Sequence, residues 1–174
     1  MIRQNCSVHR REPSDLEECV RVLAAVHAAD GYPVHWPERP GAWLAPPSLL
    51  GAWVARREGR LTGHVGLCRS GPGDVAPALW SDLAGAPADG TAVVSRLFVA
   101  PAARGLGIGG LLMATVVQAA RERGLHPVLE VVSTDVAAAA LYERLGWRRL
   151  ATVDQEWTPG RPVTVHCYAA PLPA

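Results

Sequence analysis

The chain has 174 residues, of which 49% are hydrophobic and 19% are charged, and its formal net charge at pH 7 is +1. This length fits one well-cored domain over residues 1–174. The near-neutral net charge gives no excess of positive charge that would attract nucleic acid or a membrane surface, so neither is expected as a partner.

Residue patterns predict alternating strands and helices. Ser14 is the expected N-cap of the first helix, with Glu17 three residues on, and Gly31 ends that helix. We expect, in chain order, a strand over 2–8, a helix over 14–29, an irregular loop over 31–50, strands over 51–57 and 61–68, an exposed loop over 70–91 with one helical turn near Leu79 and Trp80, a strand over 92–99, a helix over 108–123, a strand over 127–133, a helix over 136–145, and strands over 148–157 and 163–169.

The four cysteines are too far apart in sequence for a C-x-x-C metal or redox motif; they are Cys6, Cys19, Cys68 and Cys167. We therefore expect free buried thiols and no metal site. The first residues show no apolar signal region, and no apolar run approaches the ~18 residues that span a bilayer. A cytoplasmic location is the expectation that follows.

The loop over 31–50 combines five prolines with aromatic side chains. Proline restricts the backbone, so this loop is stiffer than its length indicates. Tyr32, His35, Trp36 and Trp43 either line a pocket or pack over the core, and the sequence leaves both interpretations open.

A glycine-rich run joins the strand over 92–99 to the helix over 108–123. It reads Arg104-Gly105-Leu106-Gly107-Ile108-Gly109-Gly110. Glycines let a ligand approach the backbone, and the first turn of a helix offers unpaired N–H groups and the positive end of the helix dipole. The run therefore predicts a pyrophosphate site, to which Arg104 adds a permanently charged donor.

Two other phosphate-binding motifs compete with this interpretation. A Walker loop needs a lysine, and the chain has none. The dinucleotide fingerprint G-x-G-x-x-G is satisfied by Gly105, Gly107 and Gly110, and Glu130 follows twenty residues later. Five residues separate the strand from the first glycine, however, and only 44 residues follow Glu130, too few for the remaining units of that fold.

Two segments carry longer motifs. The first runs from Leu97 to Gly109 and contains L-x-V, a proline and then Arg-x-x-Gly-x-Gly. The second runs from Leu129 to Trp147 and contains L-E-V, alanines and L-Y-E-x-x-G. Together these segments resemble the signature of the GNAT N-acetyltransferase family. The resemblance implies an α/β (α+β) fold, with a mixed, mostly antiparallel central sheet flanked by helices. It also implies that two parallel strands, over 92–99 and 127–133, part to admit acetyl-CoA.

The resemblance implies roles for individual residues. Backbone groups of the strand would hold the pantetheine arm of acetyl-CoA, the loop amides would bind its pyrophosphate, and the loop over 31–50 would wall the acceptor pocket. The implied cofactor-binding residues are Leu97, Phe98, Val99, Arg104, Gly105, Leu106, Gly107, Ile108, Gly109 and Asp135, and the implied acceptor-binding residues are Tyr32 and Trp36.

Three positions depart from the family pattern. Asp135 stands where an Asn is usual, and an ionised Asp only accepts hydrogen bonds. Trp147 replaces a Phe. Val132 replaces an Arg of the ribosomal-protein acetyltransferases, so their peptide substrate does not carry over.

Glu130 and Tyr142 stand where those ribosomal-protein enzymes carry a Glu and a Tyr. Acyl transfer to an amine requires a base for the ammonium and an acid for the leaving thiolate. We expect direct transfer, with Glu130 as base and Tyr142 as acid. A structural Glu satisfied by backbone or Arg, and a core Tyr, are the alternatives.

The predicted activity is therefore acetyl-CoA-dependent N-acetylation of a small-molecule or peptide amine. A catalytically silent acyl-CoA-binding domain and a nicotinamide-dependent oxidoreductase are the two alternatives. The sequence identifies neither the acceptor nor the oligomeric state, and a homodimer stays open.

Overall fold

The computed structural model describes residues 5–174 of a chain that divides into two compact units. Within the described residues, unit 1 contains residues 5–68 and Arg96–Gln118, and unit 2 contains Arg69–Ser95 and Ala119–Ala174. The strand predicted over 2–8 begins before the described residues, so its first part lies outside them. A single domain over residues 1–174 stays a prediction.

Residues 5–174 form seven strands and five α-helices. The strands are β1 (Cys6–Arg10), β2 (Leu49–Arg57), β3 (Arg60–Arg69), β4 (Thr91–Val99), β5 (His126–Val132), β6 (Arg148–Thr158) and β7 (Arg161–Ala169). The helices are α1 (Leu16–Asp30), α2 (Pro40–Trp43), α3 (Val75–Ala84), α4 (Ile108–Glu122) and α5 (Val136–Arg144). Within these residues, no helix is long and apolar enough to cross a membrane.

The strands hydrogen-bond in the order β1-β2-β3-β4-β5-β7-β6. β1 with β2, β2 with β3, β5 with β7 and β6 with β7 are antiparallel, whereas β4 and β5 are parallel. The parallel register runs from Thr91↔His126 to Val93↔Val128 and ends there, although β5 continues to Val132. The predicted fold class, a mixed and mostly antiparallel sheet flanked by helices, is confirmed.

The core of unit 1 lies between α1 and the strands. Cys19, Leu23 and Val26 recur at helical spacing on one face of α1 and are buried with Val54 of β2 and Phe98 of β4. Burying side chains of this size stabilises a fold by roughly 1.5–3 kcal/mol each. This packing holds α1 against β2 and β4, and β4 leads into the glycine-rich run.

The start of the first helix differs from the prediction. Ser14 lies inside a short 3-10 turn, Pro13–Asp15, and is not the N-cap. The Asp15 carboxylate instead accepts from the N–H of Glu12 at 2.7 Å, and it also pairs with Arg56 at 2.8 Å. An ionised carboxylate makes stronger hydrogen bonds than a hydroxyl, and the Arg56 partner is invisible in the local sequence.

The segment over 70–91 is not an exposed loop with one helical turn; it contains the ten-residue helix α3. Its apolar side chains Val75, Ala76, Leu79 and Trp80 pack onto the core of unit 2, which β5, β6 and β7 form with part of β4. The loop was predicted because the segment is rich in Gly, Pro, Ala and Asp, but Pro77 lies in the first turn of α3, where proline is tolerated. The irregular loop over 31–50 likewise contains the short helix α2.

Candidate active site

The glycine-rich run forms a turn that leads directly into α4. Gly105 and Gly107 have φ angles of 76° and 79°, which residues with a β-carbon rarely adopt. The N–H of Leu111 donates to the carbonyl of Gly107 at 3.2 Å, so the N–H groups ahead of Leu111 precede the helical ladder. The loop therefore presents backbone donors and the positive end of the α4 dipole, as an anion site requires.

Arg104 lies in this turn and is held by neighbouring groups of unit 1. Its guanidinium forms an exposed ion pair with Asp30 at the end of α1, and it approaches the carbonyl of Val99 at 3.5 Å. The hydrogen bond from Arg104 lowers the pKa of the Asp30 carboxyl. Exposed ion pairs contribute little free energy, so this pair costs little to exchange for another anion.

The strand segment Leu97–Val99 follows a backbone irregularity. Arg96 has a φ angle of 54°, unusual for a residue other than glycine and costly within a strand. The Arg96 side chain donates to the carbonyl of Trp43 at 2.6 Å, and its guanidinium lies 4.6 Å from the Trp43 ring centre. These contacts hold the left-handed residue in place immediately before the predicted pantetheine-binding backbone.

His64 supports the same residue from β3 and was not among the predicted site residues. The ring is fully buried and stacks on Phe98 with a centroid distance of 5.0 Å. Nε2 lies 2.8 Å from a guanidinium nitrogen of Arg11, and Nδ1 lies 2.9 Å from the Arg96 carbonyl. Because arginine can only donate, Nε2 accepts and Nδ1 carries the proton.

The electrostatic setting keeps His64 neutral. Burial is the largest cause that lowers its pKa, the bond to the Arg96 carbonyl opposes it, and the charges of Arg11 and Arg96 lower the pKa as well, with a net value of about 4. The one signal in the sequence that pointed to a buried His64 was its place at an inward-facing position of a predicted strand.

Glu130 lies on β5 in unit 2, and its carboxylate meets the start of α3. Oε1 accepts from the N–H of Val75 at 2.6 Å and from the N–H of Ala76 at 3.1 Å. Burial raises the pKa of Glu130, the two amides lower it, and the charge of Asp74 raises it. The side chain thus has backbone partners, which supplies the structural interpretation without removing the catalytic one.

Asp135 acts as the N-cap of α5. Its side chain accepts from the N–H of Ala138 at 3.1 Å. Asp and Asn are equally good at this position, so helix capping accounts for an Asp where the family pattern has Asn. Its predicted contact with the cofactor stays a prediction.

Tyr142 lies in an aromatic cluster of unit 2. The residue is 6% exposed, and its ring is 6.0 Å from that of Trp147 and 5.8 Å from that of Tyr168. The Tyr168 hydroxyl is in turn fixed by Glu143 at 2.9 Å and Arg149 at 3.1 Å. Packing therefore restricts the Tyr142 ring to a narrow range of positions, as both a core tyrosine and a positioned acid require.

The aromatic residues of the loop over 31–50 separate into two environments. Tyr32 is half-buried and contacts the ring of Trp43, so it packs on the core of unit 1. Trp36 is 40% exposed and tilts against His27 at 5.3 Å. His35 is exposed. Trp36 is thus a surface residue, whereas Tyr32 contributes to packing.

The four cysteines are free thiols. Burial raises the pKa of Cys19 to about 11 and that of Cys167 to about 12. Thiols of such high pKa are protonated at neutral pH and are poor nucleophiles. This argues against an acetyl-cysteine intermediate at either position.

The sequence matches a family model described as "Acetyltransferase (GNAT) family" over residues 16–147. The probable N-acetyltransferase camello of Xenopus tropicalis is 35% identical over 98 residues, covering 56% of this chain and 38% of that protein. The chain therefore spans well under half the length of this curated relative.

Solved structures share the fold. A ribosomal-protein-alanine N-acetyltransferase from Brucella melitensis has a TM-score of 0.71 at 22% identity, covering 95% of this chain and 99% of the other. A putative acetyltransferase from Salmonella typhimurium, solved with its cofactor acetyl-CoA, has a TM-score of 0.70 at 20% identity, covering 98% of this chain and 95% of the other.

Proposed function

Because the chain belongs to the acetyltransferase (GNAT) family, we propose that it transfers the acetyl group of acetyl-CoA directly to a primary amine. The observation that carries this proposal is the glycine-rich turn into α4, with Gly105 and Gly107 at positive φ and backbone donors at the helix start. Members of the family use acetyl-CoA, so the nicotinamide-dependent oxidoreductase is set aside.

Unit 1 carries the proposed cofactor-binding residues. The loop amides from Arg104 to Gly109 bind the pyrophosphate, and the backbone of Leu97–Val99 holds the pantetheine arm. His64 and Trp43 hold Arg96, and so fix where that strand segment begins.

Unit 2 carries the proposed catalytic residues. Glu130 takes the proton of the acceptor ammonium, directly or through water, and the Tyr142 hydroxyl gives a proton to the departing thiolate of coenzyme A. The amine nitrogen bonds to the carbonyl carbon of the thioester, and the carbon–sulfur bond breaks. The nitrogen loses its second proton as the amide forms, and this proton restores the Tyr142 hydroxyl directly or through water, while Glu130 releases its proton to solvent. Both products therefore leave neutral at the reacting atoms. No atom of the enzyme becomes acetylated in this scheme.

The acceptor is proposed only as a class, a small molecule or peptide with a primary amine. Two structural relatives are named for ribosomal-protein alanine acetylation. Val132 stands where those enzymes carry an Arg, which argues against the same peptide substrate. A cytoplasmic location remains part of the proposal, and the oligomeric state is left open between a monomer and a homodimer.

We expect Arg104→Ala to weaken acetyl-CoA binding by about tenfold or more, the loss of one hydrogen bond to a charged group. Folding stability should hardly change, because the ion pair with Asp30 is exposed. Isothermal titration with acetyl-CoA measures the affinity, and thermal unfolding measures the stability.

Asp30→Ala is the matched control for Arg104→Ala. It removes the same ion pair but leaves the guanidinium, so acetyl-CoA affinity should hold or improve. Equal weakening by both variants would instead assign the effect to the ion pair. A substitution of Gly107 is a poorer test, because its positive φ costs roughly 1–2 kcal/mol in any residue with a β-carbon.

We expect Trp36→Ala to raise the KM for the acceptor while acetyl-CoA affinity stays the same. Trp36 is 40% exposed, so its truncation should cost far less than the ~3–5 kcal/mol of a core tryptophan. Val34→Ala, in the same loop and 49% exposed, is the control. Steady-state kinetics measure the KM. If Trp36→Ala leaves the KM for the acceptor unchanged, this residue does not belong to the acceptor site.

A further inference from the structure

We propose that the first turn of α3 is a positioning element for Glu130: the backbone N–H groups of Val75 and Ala76 hold one carboxylate oxygen, so that the other oxygen receives the acceptor's proton. This inference rests on the proposed role of Glu130 as base. It assigns a function to α3, which lies in the segment predicted as an exposed loop with one helical turn.

The geometry places both bonds on the same oxygen. Oε1 accepts at 2.6 Å from Val75 and at 3.1 Å from Ala76, the first two residues of α3. Val128, two residues before Glu130 on the same face of β5, is buried against the apolar face of α3. The helix is therefore packed in place by its own core contacts, independently of the carboxylate.

A carboxylate held through one oxygen is fixed in direction. Two N–H donors and the positive end of the α3 dipole favour its ionised form, as at any helix start that meets an anion. Oε2 takes part in neither amide bond, and on this half-buried side chain it is the oxygen that we assign to the proton. A base must be ionised before the reaction and fixed in direction, and the two amide bonds favour both.

The charged and titratable groups around Glu130 make its basicity sensitive to α3. The net effect is a pKa above the ordinary Glu value, because burial outweighs the two amide bonds. Asp74, the N-cap of α3, raises this pKa through its charge, and the side-chain amide of Gln155 on β6 lowers it. Cys167 pairs with Glu130 in the register of β5 and β7 and stays a neutral thiol, since its pKa is raised to about 12.

Val75→Pro tests the inference by deleting one donor. Proline is favoured at the first helical position, where its missing N–H breaks no helical bond. Asp74, with φ −87° and ψ 130°, already has the extended backbone that a residue before proline adopts. Val75→Ala alters the same side chain but keeps the N–H, so the difference between the two variants reports the N–H alone.

We expect the acidic limb of kcat/KM to move up by about one pH unit in Val75→Pro relative to Val75→Ala, as loss of one bond to a charged group predicts. The Glu130 carboxyl, followed by NMR titration without substrate, should shift in the same direction. Asp74→Asn removes a negative charge, so both the acidic limb of kcat/KM and the NMR titration of Glu130 should move to lower pH. It also provides a second test should Val75→Pro fail to fold.

The outcomes separate the two levels of the proposal. If Glu130 titrates identically in Val75→Pro and Val75→Ala, the positioning role of α3 is refuted, whether or not Glu130 is the base. A carboxyl that shifts while the kcat/KM limb stays still shows that α3 holds a structural glutamate, and also overturns it. Glu130→Gln decides the base itself: a normal pH profile in that variant refutes the proposed function of Glu130.

Discussion

Tyr142→Phe should lower kcat by ~10²-fold while acetyl-CoA affinity stays nearly constant, the low end of the effect of losing a general acid. The ring packs against Trp147 and Tyr168 at 6.0 and 5.8 Å, so phenylalanine fills the same space and only the hydroxyl is lost. Steady-state rates give kcat, and titration with acetyl-CoA gives the affinity.

Tyr168→Phe is the matched control for this prediction. It removes a hydroxyl from a neighbouring buried ring, one that hydrogen-bonds to Glu143 and Arg149 rather than serving the reaction. It should lower the melting temperature and leave kcat close to normal. Normal turnover in Tyr142→Phe, or equal loss of turnover in both variants, would make Tyr142 a packing residue.

Because of His64, the free energy of unfolding should fall by about 3 kcal/mol as the pH is lowered from 6.5 to about 4. This figure follows from the lowered pKa of His64 at about 1.4 kcal/mol per pKa unit. Its pKa is lower in the folded than in the unfolded chain, so the unfolded chain binds more protons in this window. The stabilisation is complete above the unfolded pKa, declines as pH falls and levels off below the folded pKa.

Urea unfolding at several pH values measures this loss, and His64→Gln is the comparison. Glutamine retains one donor and one acceptor but does not titrate. Burial also lowers the pKa of His126, so a slope of the same sign persists in both proteins, and the difference between them belongs to His64. Parallel pH curves for the two proteins would contradict the neutral, buried His64.

The segments that match family motifs were the best predicted. The helix over 108–123 and the strand over 127–133 coincide with α4 and β5 to within a residue or two. The family they indicated is confirmed by the match over residues 16–147. Local glycine and apolar patterns were sufficient there because the loop and the helix are adjacent in sequence.

Long-range partners were beyond the reach of the sequence. Glu130 bonds to amides 54 and 55 residues away, and His64 lies between Arg11 and a carbonyl 32 residues away. Neither arrangement has a local signature, because backbone N–H and C=O groups are present in every residue. The helix α3 was missed for a related reason: its apolar face is evident only once the strands it covers are known.

The most direct test of the account is a panel of primary amines incubated with acetyl-CoA, with release of free coenzyme A and the intact mass of the protein followed together. Direct transfer predicts that coenzyme A appears in step with an acetylated amine, while the mass of the protein stays unchanged throughout turnover. A protein that gains an acetyl group, retains it without acceptor and loses it when the amine is added would contradict the account.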